Sequence, residues 1–329
     1  MQITRVVLPI VAFLLAITLW VACDRSQFGD GAVDDDKFHV VTTTTMLEDL
    51  VWNLGGEHVE VHGLVSVGGD PHVYQPRPND ARTVANSDAV VMNGLLLEGW
   101  MENLVRHAGG ERPIIVGGEA IDESELIRVE GAIDPHIWFD VALWRRVAGE
   151  VAEGLIDLAG DQEAIAQEIR SNHEEYDHKL AVLDAWVEHQ VATIPAERRV
   201  LVTSHDAFNY FGRAYGIDVE AVQGLSTEQE ASQRDVANII ELVRERNAPA
   251  VFTETSVHPG LIEQVARETG ARRAGPLYSD SIGPAGSGAE TYVGMVETNV
   301  QMIIEALQGE YQPFDREDLM AEESEGDGA

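Results

Sequence analysis

The segment DQEAIAQEIRSNHEEYDHKLAVLDAWVEHQVATI, residues 161–194, decides how the rest of the chain is read. It holds neither Gly nor Pro, and Ile165, Ile169, Tyr176, Leu180, Leu183 and Trp186 recur at helical spacing. A helix of about 34 residues spans about 50 Å at 1.5 Å per residue. That is too long for a local element of one small domain and suits a rigid strut between two lobes. On its N-terminal side strands alternate with helices: FHVVTTTT (38–45), VEVHGLV (59–65), AVVMNG (89–94) and PIIVGG (113–118) are separated by helical stretches. The alternation returns on the other side with RVLVTS (199–204), IDVEAVQ (217–223), APAVFTE (248–254) and RRAGPLYSD (272–280). The pattern predicts two mainly parallel-sheet α/β lobes joined by one long rigid helix. Their expected bounds are 38–160 for the N-terminal lobe, 161–194 for the linking helix and 195–310 for the C-terminal lobe. The remaining residues, 311–329, read as an acidic disordered tail.

Composition narrows the function. The 329 residues include 57 acidic and 22 basic side chains, a formal charge of −35. With 44% apolar residues the chain can still build proper cores. The charge excludes a nucleic-acid binder working through a general basic surface, because phosphates would be repelled. Lysine occurs only at Lys37 and Lys179. An acidic, Lys-poor surface reads as solubility in high salt; the rival reading is a field that attracts cations. Screening favours the first, since the Debye length is about 3 Å at 1 M salt. The single cysteine, Cys23, rules out an intramolecular disulfide and a thiolate metal cluster. A metal site must then come from His, Asp, Glu or backbone oxygens.

Residues 6–22, VVLPIVAFLLAITLWVA, are almost wholly apolar, follow Arg5 and end at Cys23. Residues 1–23 look like a bacterial lipoprotein signal in which Cys23 is lipidated, with Trp20 where such signals usually carry Leu. Residues 24–37 then read as a flexible tether. The alternative is an uncleaved anchor. Either way the folded part is expected outside the cytoplasm, attached to a membrane.

The tripeptide Asp-Pro-His occurs twice, at Asp70–His72 and Asp134–His136, each followed two residues on by an aromatic, Tyr74 and Trp138. Proline fixes its own φ and extends the preceding Asp, so each His is presented from a stiff turn. The second lobe offers His205 at the end of RVLVTS and Asp280 in YSDSIG, both just beyond strand C-termini, where open α/β sheets bind ligands. Simple turn and helix-cap roles are the alternatives.

Together GGDPHVYQPRPND, DPHIWFD, VTSHDAFNYFGRAYGI and LYSDSIG resemble the motifs of the metal-binding subunits of manganese/zinc ABC transporters, the cluster 9 solute-binding proteins. The resemblance covers roughly residues 38–308 and implies two α/β lobes joined by one long helix. It implies His72, His136, His205 and Asp280 as metal ligands. The third position is Glu in many manganese members and His here. Three imidazoles and one carboxylate suit Zn²⁺ first, with Mn²⁺ second and Fe²⁺ third. Gly117–Asp134 lacks the His-rich acidic loop of many zinc members, which keeps manganese in view. Glu254, Asp70, Asp134 and Asp206 are candidates for orienting the imidazoles. His62, His173, His178 and His189 read as solvated-face residues and His258 as lying outside the site.

The expected protein is a monomeric, lipid-tethered extracytoplasmic receptor, not an enzyme, that captures a divalent metal ion between its lobes. It would deliver the ion to an ABC permease and, through it, serve the transporter's ATPase. Two alternatives stand. One is a zinc hydrolase with an open metal position and Asp280 or Asp206 as base, weakened by the absence of an HExxH motif. The other is a binder of an iron chelate, which needs a wide cleft lined by Arg and aromatics.

Overall fold

Local chemistry places the first helix directly behind its strand. In the computed structural model, which describes residues 37–315, β1 (Phe38–Thr42) runs into Thr44, whose hydroxyl accepts from the Leu47 N–H and caps α1 (Thr45–Gly55). There follow β2 (Val59–Gly63), α2 (Pro78–Ala85), β3 (Ala89–Met92), α3 (Met101–Ala108) and β4 (Ile114–Val116). These strands form one parallel sheet in the order β2-β1-β3-β4. The short antiparallel pair β5 (Arg128–Val129) and β6 (Ala132–Ile133) then leads into the second Asp-Pro-His loop. Signal segment, Cys23 and most of the tether, together with residues 316–329, lie outside the described residues.

Two helices follow before the second half begins: α4 (Val141–Ala159), which closes the first half, and the long α5 (Glu163–Ala192) between the halves. The apolar spacing of α4 is present in the sequence as Trp144, Val147, Ala148, Val151, Ala152 and Leu155, but Gly149 and Gly154 interrupt its helical composition. Gly154 is a packing residue, since a Cβ there would stand 2.5 Å from Cδ1 of Ile115 in β4. The 30 residues of α5 rise about 45 Å and bury Ile169, Tyr176, Leu180, Leu183, Val187 and Val191 along one side. Because α4 lies along it, His173 is not on a solvated face: its Nε2 is buried and has no hydrogen-bond partner among the described residues. His178 and His189 are exposed as expected.

The second half repeats the alternation with β7 (Val200–His205), α6 (Asn209–Tyr215), β8 (Asp218–Gln223), α7 (Gln233–Glu245), β9 (Ala250–Glu254), α8 (Gly260–Thr269), β10 (Arg272–Leu277) and α9 (Tyr292–Ala306). Its strands form two parallel pairs, β7 with β8 and β9 with β10. The Ser204 hydroxyl reaches the Phe252 carbonyl at 3.5 Å and so sets β7 beside β9. One hydrophobic core runs from Leu47 and Leu50 through Trp144, Tyr176 and Leu183 to Phe252 and Ile303. The chain also stays packed beyond residue 310. Phe314 is buried against Trp186, whose indole N–H donates to the Gln312 carbonyl at 3.1 Å.

Trp144 couples α4 to α9 by stacking on Tyr292, with ring centroids 5.0 Å apart and Trp144 1% exposed. Trp144→Ala is expected to cost about 3–5 kcal/mol. Urea denaturation followed by circular dichroism measures this loss as a lowered midpoint.

Candidate metal centre

Four loops at strand ends converge between the halves. His72 follows β2, His136 follows β6, His205 is the last residue of β7, and Asp280 follows β10. Both Asp-Pro-His tripeptides fold alike: Asp70 Oδ1 accepts the His72 N–H and Asp134 Oδ1 accepts the His136 N–H, each at 2.9 Å. Aspartate thus closes a small turn over its own proline and fixes the backbone from which the imidazole projects. The aromatics two residues on hold these and neighbouring loops. Tyr74 packs on Trp100, whose indole N–H donates to the Pro71 carbonyl at 2.8 Å. Trp138 donates to the Ser279 carbonyl at 2.9 Å and so ties the second turn to the Asp280 loop.

His72, His136, His205 and Asp280 each offer one ligand atom, and these atoms all lie within 4.8 Å of one another. Nε2 of His72 and Nε2 of His136 are 3.2 Å apart. Asp280 Oδ1 lies 3.9 Å from His72 Nε2, 3.7 Å from His136 Nε2 and 3.5 Å from His205 Nε2. All four side chains are buried, yet His205 Nε2 and Asp280 Oδ1 have no hydrogen-bond partner among the described residues. Leaving such atoms unpaired costs about 1–3 kcal/mol each, and more for a charged group. A single cation among the four atoms removes that cost. The four atoms are close enough to share one ion.

The surrounding groups fix which atoms face the centre. Asp134 Oδ1 accepts from His136 Nδ1 at 2.7 Å, and Glu254 Oε2 accepts from His205 Nδ1 at 2.5 Å. Each carboxylate keeps a proton on Nδ1 and turns Nε2 inward. Glu254 Oε1 also accepts the N–H groups of Ser204 and His205, at 2.7 and 2.9 Å. Asp280 Oδ2 is taken by the Ser256 and Ser279 hydroxyls, so only Oδ1 faces the centre. Asp70 does not orient a ring; its Oδ2 accepts from Thr227 Oγ1 across the halves at 2.5 Å. Asp206 meets Asn209 instead of an imidazole. His62 and His258 stand apart from the centre, on β2 and on an exposed turn.

Electrostatics separate the imidazoles. Burial and the neighbouring His136 push the His72 pKa down to about 3, so this ring stays neutral. Burial also opposes a charged His205, but the Glu254 and Asp280 carboxylates outweigh it and hold its pKa well above the usual histidine range. Burial would raise Asp280, yet His205, His72 and His136 hold its carboxyl far below the usual range. Without metal, then, the two carboxylates favour a charged His205, although its Nε2 stands 3.5 Å from Asp280 Oδ1 without a hydrogen bond between them.

Sequence reasoning missed Glu98 and Asn93. Glu98 is 3% exposed and accepts from Thr43 Oγ1 and the N–H groups of Asn93 and Gly94. The Asn93 amide then donates to the Pro135 carbonyl at 3.0 Å and supports the second turn. An acid inside the apolar run LLLEGW was the available signal. The first test is spectroscopic. Glu254→Gln should lower the His205 pKa by at least one unit in metal-free protein, because burial then faces one carboxylate fewer. Imidazole NMR titration reads that shift.

Comparison with known proteins agrees with this geometry. Residues 40–306 match the family described as ZnuA, zinc-uptake complex component A, periplasmic. The manganese-binding lipoprotein MntA of Bacillus subtilis (strain 168) is 38% identical over 304 residues, covering 90% of this chain and 98% of the relative. The zinc-binding protein TroA of Treponema pallidum (strain Nichols) is 37% identical over 304 residues, covering 91% and 98%. The solved structure of the periplasmic zinc binding protein TroA from Treponema pallidum superposes with a TM-score of 0.79 at 38% identity, covering 82% of this chain and 99% of that one. Matched along most of its described length and built around a buried His₃Asp cluster, the chain belongs to the family of periplasmic zinc-uptake components.

Proposed function

We infer that this protein is the extracytoplasmic substrate-binding subunit of a metal ABC transporter, with a divalent transition metal as its cargo. The observation that carries the reading is the pair of buried atoms without a partner among the described residues, His205 Nε2 and Asp280 Oδ1, facing the Nε2 atoms of His72 and His136. These four residues are the proposed ligands. Zinc is the first choice. The centre offers three imidazoles and a single carboxylate oxygen, a four-ligand set that suits Zn²⁺, whereas Mn²⁺ favours more oxygen donors. Manganese is second, as the names of the relatives divide between the two metals.

Four protein ligands leave no position for an activated water, which favours transport over hydrolysis. The ion would pass to a permease driven by its ATPase. Among the described residues no helix is long and apolar enough to cross a membrane. We assign membrane attachment to a lipid on Cys23 from the sequence of residues 1–23, which lie outside the described residues, with the folded part working as a monomer. The acidic surface suits a salt-rich exterior.

The proposed division is residues 38–160 and 195–310 about α5, and the shared core along α4 and α5 limits hinge motion. Release then proceeds through loop movement, beginning at the Asp70–Thr227 link between the halves. Metal-loaded and metal-free crystals are expected to differ by loop shifts, and a lobe rotation of tens of degrees contradicts this.

Elemental analysis with competitive titration tests the site. One equivalent of Zn²⁺ is expected at the centre, and His72→Ala and His205→Ala should each weaken its affinity by more than about a hundredfold. Retention in both variants overturns the assignment. The pH dependence follows from His205. Its raised pKa means the metal must displace a proton at neutral pH, so affinity should fall about tenfold per unit of acidification. An affinity that does not change between pH 6 and pH 8, read by the same titration, contradicts the proton release.

A further inference from the structure

A second group of metal-binding side chains stands on the sheet of the first half. There β2 is an edge strand, and its parallel register sets Glu60 opposite His39 and His62 opposite Val41. Alternate residues of a strand share a face, so Glu60 and His62 project together and His39 rises beside them. His39 Nδ1 is 3.6 Å from Glu60 Oε2, and His62 Nε2 is 3.6 Å from Glu60 Oε1. The two imidazoles are stacked with centroids 5.9 Å apart and planes 14° from parallel. One ligand atom from each residue falls within 4.8 Å of the others.

These contacts do not close into hydrogen bonds, and the His39 Nε2 atom is buried with no partner among the described residues. A third cluster, Glu57, His58 and Glu168, differs because His58 Nε2 already bonds Glu168 Oε2 at 2.9 Å and satisfies itself. The backbone under His39 is fixed: its N–H donates to Asp88 Oδ2 at 2.8 Å and its carbonyl accepts the Asp88 N–H at 2.8 Å. Rigid backbone on two paired strands leaves only side-chain rotation to complete a coordination shell.

We propose that His39, Glu60 and His62 form a second site for a divalent transition metal of the Zn²⁺ class. Two imidazoles and one carboxylate supply three ligands, and the fourth position faces water because Glu60 and His62 are partly exposed. The ion would clip the edge strand β2 to β1. The site shares no residue with the buried centre and does not depend on it.

Equilibrium dialysis against Zn²⁺ with elemental analysis separates the two sites. The protein should take up two equivalents. His39→Ala/His62→Ala should take up one, His205→Ala/Asp280→Asn one, and the fourfold variant none. His62→Gln alone, with the fold checked by circular dichroism, should weaken the second equivalent at least tenfold. The proposal is overturned by a single equivalent in the unaltered protein, or by two equivalents persisting in His39→Ala/His62→Ala. Retention of both equivalents in His205→Ala/Asp280→Asn would instead count against the buried centre alone.

Discussion

A carboxylate buried away from water with one oxygen left unpaired is the constraint on which this structure turns. Asp280 Oδ2 is satisfied by two serine hydroxyls, while Oδ1 faces three imidazole nitrogens 3.5–3.9 Å away. Such an arrangement would relax by collapse or hydration unless a stiff frame held it open. The frame is the shared core around α4, α5 and α9, together with hydrogen bonds that cross between the halves. Ile282 N–H donates to Thr45 Oγ1 at 2.9 Å, Trp138 donates to Ser279, and the Tyr210 hydroxyl donates to the Asp134 carbonyl at 3.0 Å. The loops bearing the cluster are therefore fixed from both sides, and the energy of binding goes into the ion rather than into ordering the protein.

Charge explains why orienting carboxylates accompany the imidazoles. A divalent ion with neutral rings and one ionised Asp280 leaves a buried positive charge, which is costly at low dielectric. Asp134 and Glu254, each bonded to a ring Nδ1, turn that into a single net negative charge spread over hydrogen-bonded oxygens. The same pair sets the tautomers. For the proposed ligand set, few oxygens reach the centre, since serines and backbone amides occupy the others.

Much of this was legible because it is local. Strand and helix alternation follows from apolar period, and the repeated Asp-Pro-His announces two stiff turns whose aspartates cap their own loops. The gathering of His72, His136, His205 and Asp280 came from the resemblance of their motifs rather than from periodicity. What stayed hidden is what depends on partners distant in sequence. Gly149 and Gly154 masked α4, although Gly154 is there because β4 approaches too closely for a side chain. Glu98 and Ser256 act through loops that only the fold brings near the centre. Asp206 and Asp134 look alike beside a histidine, yet it is Asp134 that bonds a ring nitrogen, with Asn209 donating to its other oxygen. Phe314 lies in a stretch that reads as acidic tail, yet its ring finds Trp186 on α5.

Anomalous diffraction from crystals of the zinc-loaded protein, collected at the metal edge, tests the central claim most directly. A peak is expected between the halves at about 2.0–2.1 Å from Nε2 of His72, His136 and His205, with Asp280 Oδ1 completing the set. A peak bound by Glu254 or Asp134 in place of Asp280, or no peak between the halves, would contradict it.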